Sequence, residues 1–184
     1  VMGLITGYAP DTGVISISKS WLADAAASAV RPVEIDVEVL CREAGSSDDW
    51  QPYGRASDGR TMLSAATGWI LEYPVSFIGD DGTPLEFSIR QVAYRMEDDP
   101  WVNLKHEQVS STSIPSSSVP LNAPGYSALR YRVNKGEATA LQSDPISFTV
   151  DSAVATVGIE DEYRTCLTVV KSWERGAETS SRSL

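Results

Sequence analysis

The sequence predicts an all-β fold, an antiparallel β-sandwich of about eight strands with one short helix, jelly-roll-like in layout. Three observations predict it. Apolar residues recur at every second position in run after run, the period of a half-buried strand. Turn residues interrupt these runs at the roughly 8–12-residue spacing of sandwiches and barrels. The ten prolines fall mostly at run edges, where no ladder hydrogen bond is lost.

The elements follow in order. "VISIS" at 14–18 places Ile15 and Ile17 on one face and Ser16 and Ser18 on the other. "SKSWLADAAASAV" at 18–30 is Ala-rich, has Ser18 and Ser20 as candidate caps, and stops before Pro32. It is expected to be the helix. "VEIDVEVLC" at 33–41 alternates Val33, Ile35, Val37, Val39 and Cys41 with Glu34, Asp36 and Glu38. One face is expected in the core, with the three acids in solvent. There they would add solubility and discourage edge pairing. Further strand runs are expected at 69–78, 85–95, 101–109, 128–133, 146–157 and 163–173. "GDDGTP" at 79–84 is a hairpin signal, and "EAGSSDD", "RASDGR", "MEDDP", "NAPG" and "NKGE" are further turns. "STSIPSSSVPLNAPG" at 111–125 is the most linker-like stretch. The expected organisation is one sandwich over 1–175 and a polar tail at 176–184.

Charge and composition narrow the function. A net charge of −10 repels phosphate, and neither end carries a basic arm, so a nucleic-acid groove is not expected. No apolar run approaches the roughly 20 residues of a membrane span. The start, VMGLITGYAP, has no basic region and is not expected to be a secretory signal. His106 is the sole histidine, and no G-x-S-x-G, Walker or metal-ligand spacing is present. No enzyme and no cofactor are expected.

Three acid pairs, Asp48-Asp49, Asp80-Asp81 and Asp98-Asp99, fall in turns, where Asp bonds its own backbone. Asp80 and Asp81 are the candidates for Ca²⁺. Cys41 and Cys166 are read as small buried thiols, with a single staple between them left open. Trp21, Trp50, Trp69, Trp101 and Trp173 read first as core anchors. Trp50 and Trp101 each close a "strand, acidic turn, Trp" unit. They are the candidates for contact with a neighbouring subunit.

Two resemblances add to this. Trp69, "DDGTP" at 80–84, "FSIRQVAYR" at 87–95, "APG" at 123–125 and "SDPISFTV" at 143–150 make residues 64–150 resemble a fibronectin type III domain. That implies a separate binding domain there, on a cell surface or phage appendage. The whole chain, by strand count, size and strand–helix–strand opening, resembles a jelly-roll viral coat protein. That implies a capsid subunit of a virion, whose partners are other copies of itself or related shell proteins. A start at Val1 would fit release from a polyprotein. The coat subunit is the leading expectation and the Ig-like or fibronectin-like module the alternative.

Overall fold

The computed structural model of the 184-residue chain describes residues 11–24, 31–54, 59–104, 122–126, 129–136, 147–150 and 154–163. The described strands are β1 (Thr12–Leu22), β2 (Glu34–Glu43), β3 (Gln51–Pro52), β4 (Thr61–Ser64), β5 (Ile70–Ser76), β6 (Leu85–Arg95), β7 (Val102–Asn103), β8 (Arg130–Val133), β9 (Phe148–Thr149) and β10 (Val154–Glu162). They form two sheets. One has the order β5-β1-β10-β8. The other runs β3-β2-β6-β7, with β4 also on β2 and β9 also on β6. A short 3₁₀ turn, Ala65–Thr67, carries the chain from β4 in one sheet to β5 in the other. The all-β sandwich expected from the alternating runs is the observed class.

The core lies between the sheets. Ile15 and Ile17 meet Ile35, Val37, Val39, Leu63, Phe87 and Ile89 from the facing sheet, with Ala155, Val157 and Ile159 beside them. Each of these is almost fully buried. Phe87 alone removes enough apolar surface from water to stabilise the fold by about 2–3 kcal/mol.

Several expectations are corrected. The helix at 18–30 is not seen in its described part. β1 continues through Leu22, because the period-two pattern runs on: Lys19 is buried in line with Ile15 and Ile17, and Ser20 is exposed on the side of the half-buried Ser16 and Ser18. Residues 25–30 lie outside the described residues, as do 105–121, His106 included, Cys166, the run 163–173 beyond Tyr163, and the tail. The run 146–157 is two strands, β9 and the start of β10. β3 and β4, two and four residues long, are too short to show a period. A jelly roll is an antiparallel architecture, but β1 and β10 pair in parallel through nine residue pairs, Val14↔Val154 to Leu22↔Glu162. Within 64–150, β7 and β9 pair with β6, while β5 pairs with β1 and β6 also with β2 along its length.

The acidic face of β2 is the most informative correction. It meets arginine from its own sheet, not open solvent. Glu34 stands directly opposite Arg95, Glu38 opposite Arg90 and Arg42 opposite Glu86, and each pair is an ion pair. Such directly opposed charges are the cross-strand unit of sheet stabilisation. Asp36 breaks the pattern because β6 does. The register slips at a bulge, so Asp36 faces Ala93 and Val37 faces Gln91. With no arginine opposite, the Asp36 carboxylate is 0% exposed. It accepts from Arg60 Nη1 at 2.8 Å and from the Thr61 backbone N–H at 3.0 Å. The same bulge frees the Val92 carbonyl, which accepts from the Leu104 N–H at 2.8 Å.

Two tryptophans finish this face. Trp101 lies against the guanidinium groups of Arg60 at 4.4 Å and Arg95 at 5.7 Å, and Trp50 against Arg42 at 4.4 Å. The repeated "acidic turn, then Trp" pattern therefore ends each time on an arginine of the same charged face.

Asp36→Ala is expected to cost about 1–3 kcal/mol, since it leaves the part-buried Thr61 N–H without its acceptor and removes the partner of Arg60. Asp36→Lys is expected to unfold the chain, whereas Glu43→Lys, at an exposed position, should stay within about 0.5 kcal/mol of wild type. Urea denaturation of the three variants checks this.

Candidate functional site

Three inward rows converge on one point in the core. On β1 the inward residues are Ile15, Ile17, Lys19 and Trp21. On β10 they are Ala155, Val157, Ile159 and Asp161. On β6, in the facing sheet, they are Phe87, Ile89 and Gln91. Each row is apolar until its polar member. Lys19, Gln91 and Asp161 are 5%, 0% and 0% exposed.

The Lys19 Nζ lies 2.7 Å from Asp161 Oδ2 and donates to Gln91 Oε1 at 2.8 Å. It also sits 4.7 Å from the centroid of the Trp21 ring. Tyr131, from β8, accepts the Gln91 backbone N–H at 3.0 Å through its hydroxyl. The bulge in β6 follows immediately, so the strand changes face just past Gln91. Bulges recur where a strand must re-aim a side chain. One amine thus ties the first described strand to the last, and both to the opposite sheet.

Burial sets the energetics. It holds the Lys19 amine below the usual lysine range, and the Asp161 carboxylate opposes that shift without overcoming it. Burial likewise pushes the Tyr131 hydroxyl up. A pair of this kind contributes little net stability, since desolvation consumes the attraction, yet breaking it from one side strands a buried charge. Chemically, an amine beside a carboxyl group in a dry core can lose water to form an amide. That requires a proton on the departing oxygen. The third group on the amine is the Gln91 amide, which has no acidic proton to lend. Gln91 therefore supplies no acid for that step.

A second cluster closes the same pole of the sandwich. Trp21 packs against Trp69 and Tyr126 with ring centroids 5.2 and 5.0 Å apart, and Tyr126 against Tyr163 at 5.4 Å. Gly125, at φ 84°, is required here: a Cβ would come within 2.7 Å of the Tyr163 ring. Tyr126 donates to Asp24 Oδ2 at 2.8 Å, and Arg31 grips both Asp24 oxygens. The Arg31 hydrogen bonds are the main reason the Asp24 carboxyl sits below its ordinary 3.8.

The residues singled out from sequence lie elsewhere. Trp50 and Trp101 are half-buried on the outer face of the six-stranded sheet. Asp81 Oδ1 accepts from the Thr83 N–H and hydroxyl, which is turn chemistry, and these bonds lower its carboxyl pKa. Among the described residues no group of three or more His, Cys, Asp or Glu could hold a metal. Cys41 is a free, half-buried thiol. Sequence reasoning misses Lys19, Gln91 and Asp161. Their signal is a polar residue at the inward parity of an otherwise apolar row.

No protein-family model and no curated protein matches the chain. Among solved structures, it is similar to two B repeat units (B1B2) of the collagen-binding protein of Staphylococcus aureus, at 11% identity and TM-score 0.43, over 85% of this chain and 26% of that one. It is also similar to a single B repeat unit (B1) of the same surface protein, at 13% identity and TM-score 0.41, over 86% of this chain and 54% of that one.

Asp161→Leu alone is expected to cost about 3–5 kcal/mol, and the double variant Lys19→Met/Asp161→Leu to recover most of it. Calorimetry of both decides this. Intact mass should equal the sequence mass; a deficit of one water would show that the pair has condensed.

Asp24→Asn is expected to destabilise by about 1.5–3 kcal/mol at neutral pH. Because the folded pKa lies below 3.8, this stabilisation is complete above that value and fades as pH falls through the folded pKa. The two proteins' melting temperatures should therefore converge under strong acid.

Proposed function

We propose that the chain is a non-enzymatic Ig-like module of a cell-surface or appendage protein, serving as a spacer that holds its neighbours apart and presents them. The observation that carries this is the parallel pairing of β1 with β10. Two parallel neighbours point the same way, so the chain enters β1 at one pole and leaves β10 at the other. At about 3.3 Å per residue, the eleven residues of β1 span roughly 36 Å.

Other features support a module that does not stack on itself. β5 is an edge strand. By the register with β1, the backbone groups of Ile70, Glu72, Pro74 and Ser76 face outward. Pro74 has no N–H to offer, and the Ser76 N–H is taken by the Tyr53 hydroxyl at 2.7 Å. Guarded edges of this kind resist strand addition. The charge of −10 adds mutual repulsion between copies. The coat-subunit expectation rested on a jelly roll opened by strand, helix and strand, and the described residues contain neither that helix nor an all-antiparallel pairing. No helix among the described residues is long and apolar enough to cross a membrane.

Two copies joined in tandem, studied by small-angle scattering and light scattering, test this. The expected particle is a monomer of the tandem, longer than the single module by roughly 35–40 Å. A folded-back particle of unchanged length would contradict the spacer, and closed shells would return the coat reading.

A further inference from the structure

We propose that β1 and β10 form a shear clamp that lets the module bear tension along the chain, with the Lys19–Asp161 pair set on the diagonal that pulling stretches. This deepens the spacer reading and rests on it.

Tension on the chain ends draws β1 toward its N-terminal side and β10 toward its C-terminal side. The strands are parallel neighbours, so they must slide past one another rather than peel apart. The backbone hydrogen bonds of all nine residue pairs are then loaded together. A ladder pulled open from one end breaks its bonds in succession.

The ion pair adds a direction of its own. Lys19 stands opposite Ile159, and Asp161 opposite Trp21. Asp161 is therefore two residues further along than Lys19, about 6.6 Å in strand rise. The long Lys19 stem covers that offset, its amine lying 4.7 Å from the ring centroid of Trp21, the residue opposite Asp161, and meeting the carboxylate at 2.7 Å. Sliding under tension carries Lys19 backward and Asp161 forward, so the contact lengthens from the first displacement. The reverse diagonal would slacken before it tightened. Both groups are buried, so the separating charges stay in the dry core, where attraction falls off slowly with distance and little water screens it. Gln91 holds the amine from the opposite sheet at 2.8 Å, which keeps Lys19 from swinging after its partner.

Resistance to sliding gives the pair a purpose that its net stability does not. A well-packed apolar replacement can match a buried ion pair at equilibrium. It cannot supply a directional restraint of this kind.

Force spectroscopy on the full chain tests the clamp. In one geometry the chain is pulled from its termini. In the other it carries Thr12→Cys and Val154→Cys handles in a Cys41→Ser, Cys166→Ser background, and is pulled from these two neighbouring strand starts so that the ladder opens pair by pair. The expected unfolding force is severalfold higher from the termini, and equal forces would overturn the clamp. Lys19→Met/Asp161→Leu, confirmed as folded by calorimetry, should unfold at lower force from the termini and at unchanged force from the paired handles. An unchanged force from the termini would overturn the role given to the ion pair. If the tandem particle is extended while the two geometries give equal forces, the spacer stands and the clamp falls. A folded-back tandem would remove both.

Discussion

The structure depends on one buried contact, the Lys19 amine held between the Asp161 carboxylate and the Gln91 amide. Most of the surrounding core is apolar and would tolerate sliding. Ile15 could meet Val39 or Val37 with similar burial, and a sheet of β-branched side chains offers little to prefer one register over another. A polar group in that setting has one acceptable position, because a shift of two residues would leave a charge without its partner in low dielectric. The pair thus selects a register for β1 against β10, and Gln91 selects a register of that sheet against the other.

The two faces of the six-stranded sheet solve a different problem. Its inner face is the shared core. Its outer face pairs Glu34 with Arg95, Glu38 with Arg90 and Arg42 with Glu86, broken by the bulge at Asp36 and by the buried, uncharged pair Leu40 and Ser88. These pairs are partly exposed, and each contributes modestly. Together with Trp50 and Trp101 lying on the arginines, they make a covered, internally neutralised surface. Asp36 is the exception that shows the rule. Where the bulge removed its cross-strand partner, the chain brought Arg60 and the Thr61 N–H over it, and the carboxylate is fully buried beneath them.

Much of the fold was legible because period two is a strong signal when a strand has one wet face. β1, β2 and β6 show it in runs read as strands, whereas residues 158–162 of β10 lie between two expected runs, 146–157 and 163–173. The helix expectation failed over residues 18–22, where Ala-rich composition downstream was allowed to outweigh period: Ile15, Ile17, Lys19 and Trp21 keep strand parity there. Asp36 was misplaced for a related reason. Alternation identifies the face opposite the core, but burial on that face depends on what a bulge and a returning loop put over it, and neither is visible in the strand itself. The central contact was the least legible. Lys19, Gln91 and Asp161 are scattered over most of the chain, and none lies in a motif. Only the convergence of three strands makes them a unit. The parallel pairing of β1 with β10 was hidden too, since strand pattern says nothing of direction.

Native-state hydrogen exchange is the most direct measurement of the central claim. If the buried contact binds β1, β10 and β6 into one register, their core amides should exchange together, at the rate set by global unfolding, as a single cooperative unit. Faster exchange of β1 and β10 through a separate opening, while β2 and β6 stay protected, would contradict the account.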